Sequence, residues 1–250
     1  MWDFDYGKLR RSYQVDYTLP SACAEMLRAG LADIGIIPVA AYATIPRLAV
    51  IPKIAIAARG PVRSILLISK RPLEQLRTVA VDTSSRTSVA LLRVLLQKFH
   101  RLTPEFIPRE PNLKAMLKDC DAALLIGDPA LLAKPLPGHL VLDLGAEWKR
   151  LTGKSFVFAF WAVRDGCGAT EETVADFQRS RDHGLEPESM ARLAREWSVR
   201  LKIDAGEISA YLTKNVHYSL DLDCLKGLRL FYEYAAECGA LPLAPEIKFL

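Results

Sequence analysis

The chain has 250 residues, of which 50% are hydrophobic and 25% are charged, and its formal net charge is +4 at pH 7. This length allows one large domain or two modest lobes with a substantial core. The basic residues are scattered, which disfavours a nucleic-acid or membrane-surface tail. No run approaches the roughly 18 apolar residues of a membrane helix, and the acidic start with Asp3 and Asp5 disfavours a signal peptide.

The five cysteines are odd in number and widely spaced, and no two of them form a C-x-x-C pair. This pattern favours neither a disulfide framework nor a zinc site. We expect reduced thiols, packed as small apolar side chains, in a cytoplasmic protein. The sequence therefore predicts no metal.

Apolar segments alternate with segments of helical periodicity, which is typical of strands and crossover helices in an α/β protein. The elements predicted in the first part of the chain are a strand at Tyr13–Tyr17, a helix at Ala22–Ala29, and strands at Asp33–Val39, Val50–Ala58 and Val62–Ser69. The elements predicted next are a strand at Thr78–Val81, a helix at Thr87–His100, a strand at Glu105–Ile107, a helix at Leu113–Asp119 and a strand at Ala122–Ile126.

A short helix around Leu131–Leu132, a strand at Leu140–Leu144, a helix at Glu147–Leu151 and a long buried strand at Phe156–Val163 come after these. From Thr170 onward the pattern is almost wholly helical. We predict two lobes, one made of residues 1–69 and 157–250 and the other of residues 70–156. The turns at the strand ends would then face an interlobe cleft, where open α/β sheets bind ligands.

The segment Val81–Ser88 reads V-D-T-S-S-R-T-S and lies between a predicted strand and a predicted helix. The first N–H groups of a helix lack intrahelical partners and lie at the positive end of its dipole, so such a start binds carboxylates or phosphates. Alternatively, Asp82 or Ser84 only caps the helix and the other hydroxyls are solvated. We favour an anion site, whose candidate residues are Ser84, Ser85, Arg86, Thr87 and Ser88.

Two further strand ends carry candidate ligand contacts. Arg63 and Ser64 follow Gly60-Pro61 at the start of an apolar strand, and Gly127-Asp128 follows another strand, where glycine allows close backbone approach. A satisfied edge hydroxyl and a plain turn with a helix cap are the alternatives at these two places.

Several enzyme classes lack their motif in this sequence. Neither G-x-x-x-x-G-K-[ST] nor G-x-G-x-x-G occurs, and G-x-S-x-G is missing as well. The four histidines have neither triad-like neighbours nor metal-ligand spacing. The residues alone therefore predict a two-lobed α/β protein that binds a small anion.

Five blocks carry a resemblance to a known family: L-A-D-I-G-I-I-P-V at 31–39, G-P-V-R-S at 60–64, D-T-S-S-R-T-S at 82–88, A-A-L-L-I-G-D-P-A-L at 122–131 and D-L-G-A-E-W-K-R-L-T-G at 143–153. In this order they resemble the chorismate dehydratases of the futalosine route to menaquinone. Tyr211 to Tyr218, and Gly227 with Phe231-Tyr232, are similar to the helical tail of that family.

The resemblance implies a periplasmic-binding-protein-like (type II) fold and a cytoplasmic enzyme. It implies the loss of water from chorismate to give 3-[(1-carboxyvinyl)oxy]benzoate, with no metal or organic cofactor. Carried over, the catalytic residue is Ser64, and the substrate-binding residues are Arg63, Ser84, Ser85, Arg86, Thr87, Ser88, Val39, Gly127 and Asp128. The predicted partner is chorismate, neither nucleic acid nor a membrane is expected, and a homodimer is left open.

Other functions of this fold remain as alternatives. The sister enzyme of the pathway, which forms dihydroxynaphthoate, carries a histidine in an L-I-H-E segment where this chain has Leu125-Ile126-Gly127-Asp128. A receptor for a small carboxylate, cytoplasmic or exported, is the second alternative. The effector half of a transcription regulator would require a helix-turn-helix segment, and none is visible.

The start of the chain departs from the family pattern. The family begins with a strand and an S-x-L-N-x-x-P-L segment whose asparagine belongs to the active site, whereas Met1-Trp2-Asp3-Phe4 resembles the residues that come after that segment. We expect the reading frame to continue upstream of Met1, and true loss of the segment is the alternative.

Overall fold

Two groups of strands form two separate sheets in the computed structural model, which describes residues 1–82 and 85–250. The strands in this part of the chain are β1 (Ile34–Pro38), β2 (Leu48–Ala58), β3 (Ile65–Ser69), β4 (Thr78–Val81), β5 (Glu105–Pro108), β6 (Ala122–Ile126), β7 (Leu140–Asp143) and β8 (Phe156–Arg164).

The first sheet has the strand order β1-β8-β2, with β8 antiparallel to both neighbours. Ile34 pairs with Val163 and Pro38 with Ala159, while Ala58 pairs with Phe156. The carboxyl ends of β1 and β2 therefore lie at the same edge of the sheet as the amino end of β8.

The second sheet has the order β5-β4-β6-β3-β7. Strand β4 is parallel to β5 and β6, whereas β3 is antiparallel to β6 and β7. The carboxyl ends of β4, β5, β6 and β7 and the amino end of β3 consequently share one edge.

The position of β3 corrects the predicted lobe boundary. The boundary after residue 69 places this strand in the first lobe, but Ile65 pairs with Ile126 of β6 and Leu66 with Asp143 of β7. An apolar pattern reveals that a strand is buried and does not reveal which strands lie beside it. The chain crosses between the sheets at residues 59–64 and again at residues 153–155.

Helices cover the sheets and form the C-terminal part, as the α/β pattern predicts. Those in the described part are α1 (Trp2–Asp5), α2 (Pro20–Arg28), α3 (Val39–Tyr42), α4 (Arg86–Val94), α5 (Leu113–Asp119), α6 (Asp128–Leu131), α7 (Leu144–Thr152), α8 (Glu171–Gly184), α9 (Pro187–Leu201), α10 (Ala205–Ala210) and α11 (Leu222–Glu237). Short π-helical segments, Leu95–Phe99 and Tyr211–Asn215, continue α4 and α10. None of the described helices has the length and apolarity to cross a membrane.

The predicted strand at Tyr13–Tyr17 is wrong, because these residues form no ladder with any strand of the described chain. The Tyr13 ring instead packs edge-on against Phe4 and Phe177, and its hydroxyl donates to Asp176 at 2.9 Å. Alternating residues specify two faces of a segment, but a strand also needs a partner for its backbone hydrogen bonds.

An aromatic cluster anchors the second crossing. Trp148 of α7, Phe156 of β8 and Phe231 of α11 are fully buried, and their rings meet edge to face with centroids 5.0–6.3 Å apart. Gly227 lets α11 approach the crossing closely, since a Cβ there would lie 2.0 Å from the carbonyl oxygen of Ser155. These packed aromatic contacts join α7, β8 and α11 at the second crossing.

Candidate active site

The edges of the two sheets meet each other at the starts of two helices. Val39 begins α3 directly after β1, and Arg86 begins α4 shortly after β4. The backbone N–H of Ala40 donates to the Thr87 hydroxyl at 3.1 Å, a contact between the two lobes. The carboxyl end of β1 therefore lies next to that of β4, as expected for a cleft between lobes.

The start of α4 carries three of the predicted hydroxyls. The Ser85 side-chain oxygen accepts from the Ser88 N–H at 3.3 Å, which caps the helix, and its hydroxyl donates to Ser88 Oγ at 2.9 Å. Thr87 and Ser88 are almost fully buried, whereas Ser85 is half-buried. Ser84 and the neighbouring Thr83 lie outside the described residues.

Arg86 reaches across to the first lobe. Its guanidinium lies 3.1 Å from the carboxylate of Glu25 in α2, and both side chains are about half exposed. The predicted cation therefore lies at the junction of the lobes, with an acidic partner that the sequence pattern does not indicate.

Ser64 lies at the amino end of β3 and is buried, with 6% of its surface exposed. Its carbonyl oxygen accepts from the Gly127 N–H at 2.7 Å, which joins the starts of β3 and α6. Its side-chain oxygen accepts a hydrogen bond from the hydroxyl of Tyr211 at 3.1 Å. Ser64 and Gly127 are thus neighbours, as their places at strand ends predict.

The turn before Ser64 has an unusual backbone. Arg63 has φ +63°, a left-handed conformation that costs energy for a residue with a Cβ. The Asp143 carboxylate stabilises this turn, accepting from the N–H groups of Val62 at 3.0 Å and Arg63 at 2.6 Å. The same carboxylate caps α7 by accepting from Ala146 at 2.9 Å. Asp143 therefore joins the first crossing to the second sheet.

Gly127 has φ +66°, and a Cβ there would meet no atom within 4 Å. The glycine is needed for its backbone conformation, and the space beside it is open. Asp128 begins α6 at this point, close enough to Tyr211 that its charge favours a raised pKa for that phenol. Burial, however, is the main cause of the raised Tyr211 pKa.

Val39 contributes differently from the other predicted residues. It is fully buried, and its carbonyl oxygen accepts from the Tyr232 hydroxyl of α11 at 2.9 Å. Its side chain lies in the large hydrophobic core, while its position marks the carboxyl end of β1. Val39 therefore helps to fix the end of β1 against α11 through its backbone carbonyl.

Apart from Val39, and among the described residues, the predicted residues form two groups on one edge of the second sheet. The start of α4 follows β4, and Ser64 with Gly127 lies at the ends of β3 and β6, with β6 between β4 and β3. At the usual strand spacing, two strands apart means about 10 Å between these groups. This separation suits a small molecule with an anionic group at one end and a reacting group at the other.

His217, Asp221 and Cys224 form a cluster whose ligand atoms all lie within 4.8 Å of one another. The Asp221 carboxylate forms an ion pair with Arg59 at 2.7 Å and contacts the imidazole of His217 at 2.9 Å. It also accepts a hydrogen bond from the Cys224 N–H at 2.9 Å. Burial and the Asp221 charge raise the pKa of the Cys224 thiol to about 12, so the thiol stays protonated. We interpret the cluster as a connection between α11 and the end of β2, and the predicted absence of a metal stays a prediction.

The class of protein is defined by the fold, which is that of the periplasmic binding proteins. Protein AF1704 from Archaeoglobus fulgidus has a TM-score of 0.68 and 18% identity, over 92% of this chain and 87% of that one. The aliphatic sulphonate binding protein SsuA from Escherichia coli has a TM-score of 0.64 and 18% identity, over 100% and 89%. A Candida albicans protein with the generic periplasmic binding protein fold has a TM-score of 0.58 and 13% identity, over 92% and 81%.

Within this class the chain belongs to the menaquinone biosynthesis family, whose model matches residues 4–237. A chorismate dehydratase from Thermus thermophilus is 31% identical over 252 residues, which covers 93% of this chain and 89% of that relative. The family and the fold that the sequence resemblance implies are therefore confirmed. The expected segment upstream of Met1 stays a prediction.

Proposed function

We propose that this chain is a chorismate dehydratase, a hydro-lyase of menaquinone biosynthesis that forms 3-[(1-carboxyvinyl)oxy]benzoate. Membership of the menaquinone biosynthesis family and the 31% identical chorismate dehydratase support the reaction. The structural observation that carries the proposal is the buried Ser64 hydroxyl, which shares one sheet edge with the cationic, hydroxyl-bearing start of α4.

The start of α4 is suited to one carboxylate of the substrate. Chorismate has two carboxylates, and the positive end of the α4 dipole together with the nearby Arg86 guanidinium favours an anion at this position. The residues proposed to contact the substrate are Arg63, Ser84, Ser85, Arg86, Thr87, Ser88, Gly127 and Asp128, whereas the buried Val39 is proposed to support the adjoining end of β1. Ser64, about 10 Å further along the edge, would then lie near the ring hydroxyl that departs.

The chemistry requires little from the protein beyond position and charge. One ring C–H bond and one ring C–O bond break, a proton and a hydroxyl leave together as water, and the ring becomes aromatic. Aromatisation supplies the driving force, so the protein mainly has to favour elimination over rearrangement. We propose that Ser64 donates a hydrogen bond to the departing hydroxyl while a carboxylate of the substrate accepts the ring proton and then passes it to that hydroxyl, which leaves as water.

Closure of the lobes would exclude water from this reaction. The two crossings at residues 59–64 and 153–155 are the covalent connections between the sheets, which is the arrangement of a hinge. We propose lobes divided as predicted, except that β3 belongs to the second lobe. Closing them over the substrate would strengthen the hydrogen bonds made by Ser64 and Arg86.

We also propose a cytoplasmic location. All five cysteines are free thiols, in agreement with a reducing compartment. The homodimer remains a hypothesis without a supporting contact.

Incubation of the purified chain with chorismate tests the proposal, with the products followed by proton NMR and mass spectrometry. We expect the aromatic signals of 3-[(1-carboxyvinyl)oxy]benzoate, a product lighter than chorismate by one water, in samples that contain protein. Saturable binding of chorismate without product would support a solute-binding protein instead. Neither binding nor product would contradict the substrate.

A further inference from the structure

The C-terminal helical part contacts the crossing that carries Ser64. Tyr211 begins a π-helical segment, and its hydroxyl donates to Ser64 Oγ at 3.1 Å. Asn215, one turn further on, donates its side-chain amide to the Pro61 carbonyl at 2.9 Å. Glu207 of α10 lies 3.9 Å from the Arg63 guanidinium. One short segment therefore contacts three residues of the first crossing.

The direction of the Tyr211 hydrogen bond determines what Ser64 can do. A serine hydroxyl has one proton to donate and two lone pairs that accept. Because Tyr211 donates to Ser64, one lone pair is occupied and the Ser64 proton is left to point elsewhere. Within residues 1–82 and 85–250, the Ser64 hydroxyl donates to no protein group.

Burial makes this contact stronger than it would be in water. Ser64 is 6% exposed, and burial is the main cause of the raised pKa of the Tyr211 phenol. Tyr211 therefore stays protonated as a donor at neutral pH. In a chain of hydrogen bonds each donor polarises the next, so a serine that accepts from a tyrosine becomes a better donor.

We propose that Tyr211 is a positioning residue for the dehydration, which it assists by fixing the Ser64 hydroxyl and directing its proton to the departing hydroxyl of the substrate. The inference rests on the proposed function. It also explains the wide helical turn at Tyr211–Asn215, because π-helical turns are frequent at functional sites, and here the turn presents Tyr211 to the crossing.

Tyr211→Phe tests the proposal, because it removes the donor and keeps the ring. Tyr218→Phe is the matched control: Tyr218 is half-buried, as Tyr211 is, and donates at 3.0 Å, but to the Leu212 carbonyl. Thermal unfolding curves first establish that each variant is folded at the assay temperature. Steady-state kinetics with chorismate then separate a positioning role from a structural one. We expect Y211F to lower kcat about tenfold with KM within about twofold, and Y218F to keep kcat within about twofold.

The double variant Ser64→Ala, Tyr211→Phe supplies the second readout. If Tyr211 acts through Ser64, the double variant is as slow as S64A alone, within about twofold. A kcat loss equal to the product of the two single losses would overturn the proposal, as would a Y211F kcat within about twofold of wild type.

Replacement of Tyr211 by 4-aminophenylalanine restores an N–H donor on the same ring, and it serves if Y211F unfolds below the assay temperature. A kcat within about threefold of wild type supports donation to Ser64, and a kcat about tenfold or more below wild type overturns it. A wild-type chain without turnover would remove the proposed function and the positioning role together. Turnover that does not depend on Tyr211 would remove the positioning role alone.

Discussion

The carboxylate of Glu25 in α2 and the guanidinium of Arg86 in α4 form an ion pair of 3.1 Å that joins the two lobes. Both side chains are about half exposed, so the pair contributes little to stability. Its consequence concerns binding. A substrate carboxylate at the start of α4 must either share the Arg86 guanidinium with Glu25 or displace the Glu25 carboxylate from it.

Glu25→Gln should therefore lower the KM for chorismate by about threefold, because the amide competes more weakly for Arg86.

Arg86→Gln should raise the KM for chorismate about tenfold or more, the loss expected for one charge-assisted hydrogen bond. Both variants should keep kcat near the wild-type value, as should the exposed control Glu188→Gln. An unchanged KM in R86Q would exclude Arg86 from the anion site.

Asp143→Ala should destabilise the fold by about 2–3 kcal/mol, because the N–H groups of Val62, Arg63 and Ala146 lose their acceptor. Denaturant unfolding measures this free energy. Asp204→Ala is the control, since Asp204 caps α10 outside the crossing and should cost about 1 kcal/mol. A smaller loss in D143A than in D204A would contradict the role assigned to Asp143 in the crossing.

Asp221→Asn should lose stability in a manner that depends on pH. Burial alone would raise the pKa of this carboxyl, but hydrogen bonds from the Cys224 N–H, Arg59 and His217 outweigh it and lower the pKa well below its ordinary 3.8. Because the pKa of Asp221 is lower in the folded state than in the unfolded state, its contribution to stability is complete above about pH 3.8. That contribution is lost as the pH falls toward the pKa of the folded state.

The difference in unfolding free energy between wild type and D221N should thus be constant from about pH 7 to about pH 5 and should shrink below about pH 4. Asparagine also caps helices well, so this difference reports the charge and not the cap. Urea unfolding at a series of pH values measures it. A difference that stays flat or grows below about pH 4 would show that the carboxylate is not stabilised by these three partners.

Strand ends made part of the site predictable. Ser64, Gly127 and the start of α4 were placed from apolar runs that stop at polar residues, and the structure puts all of them on one sheet edge. Their roles toward a substrate stay predictions. The family resemblance supplied the reaction, which no pattern of apolar and polar residues specifies.

Long-range partners could not be predicted in the same way. Tyr211 lies in Y-L-T-K-N, which is typical of a helix end, and its contact with Ser64 spans 147 positions. Glu25 is an ordinary exposed acid on α2 until the fold brings Arg86 beside it. The sequence pattern does not predict that β3 pairs within the second sheet, because hydrophobic runs carry no information on strand order.

The role of Ser64 as a donor to the departing hydroxyl is tested by the kcat of Ser64→Ala with chorismate, measured beside Ser198→Ala. Ser198 is half-buried, and its hydroxyl donates to the Ile203 carbonyl at the end of α9, which is not among the residues proposed to contact the substrate. Removal of one hydrogen-bond donor that stabilises charge in the transition state, as proposed for Ser64, lowers kcat roughly 100-fold to 1000-fold. We predict a loss of that size in S64A with KM within about threefold, and wild-type turnover in S198A. A kcat for S64A within about threefold of wild type would contradict the account.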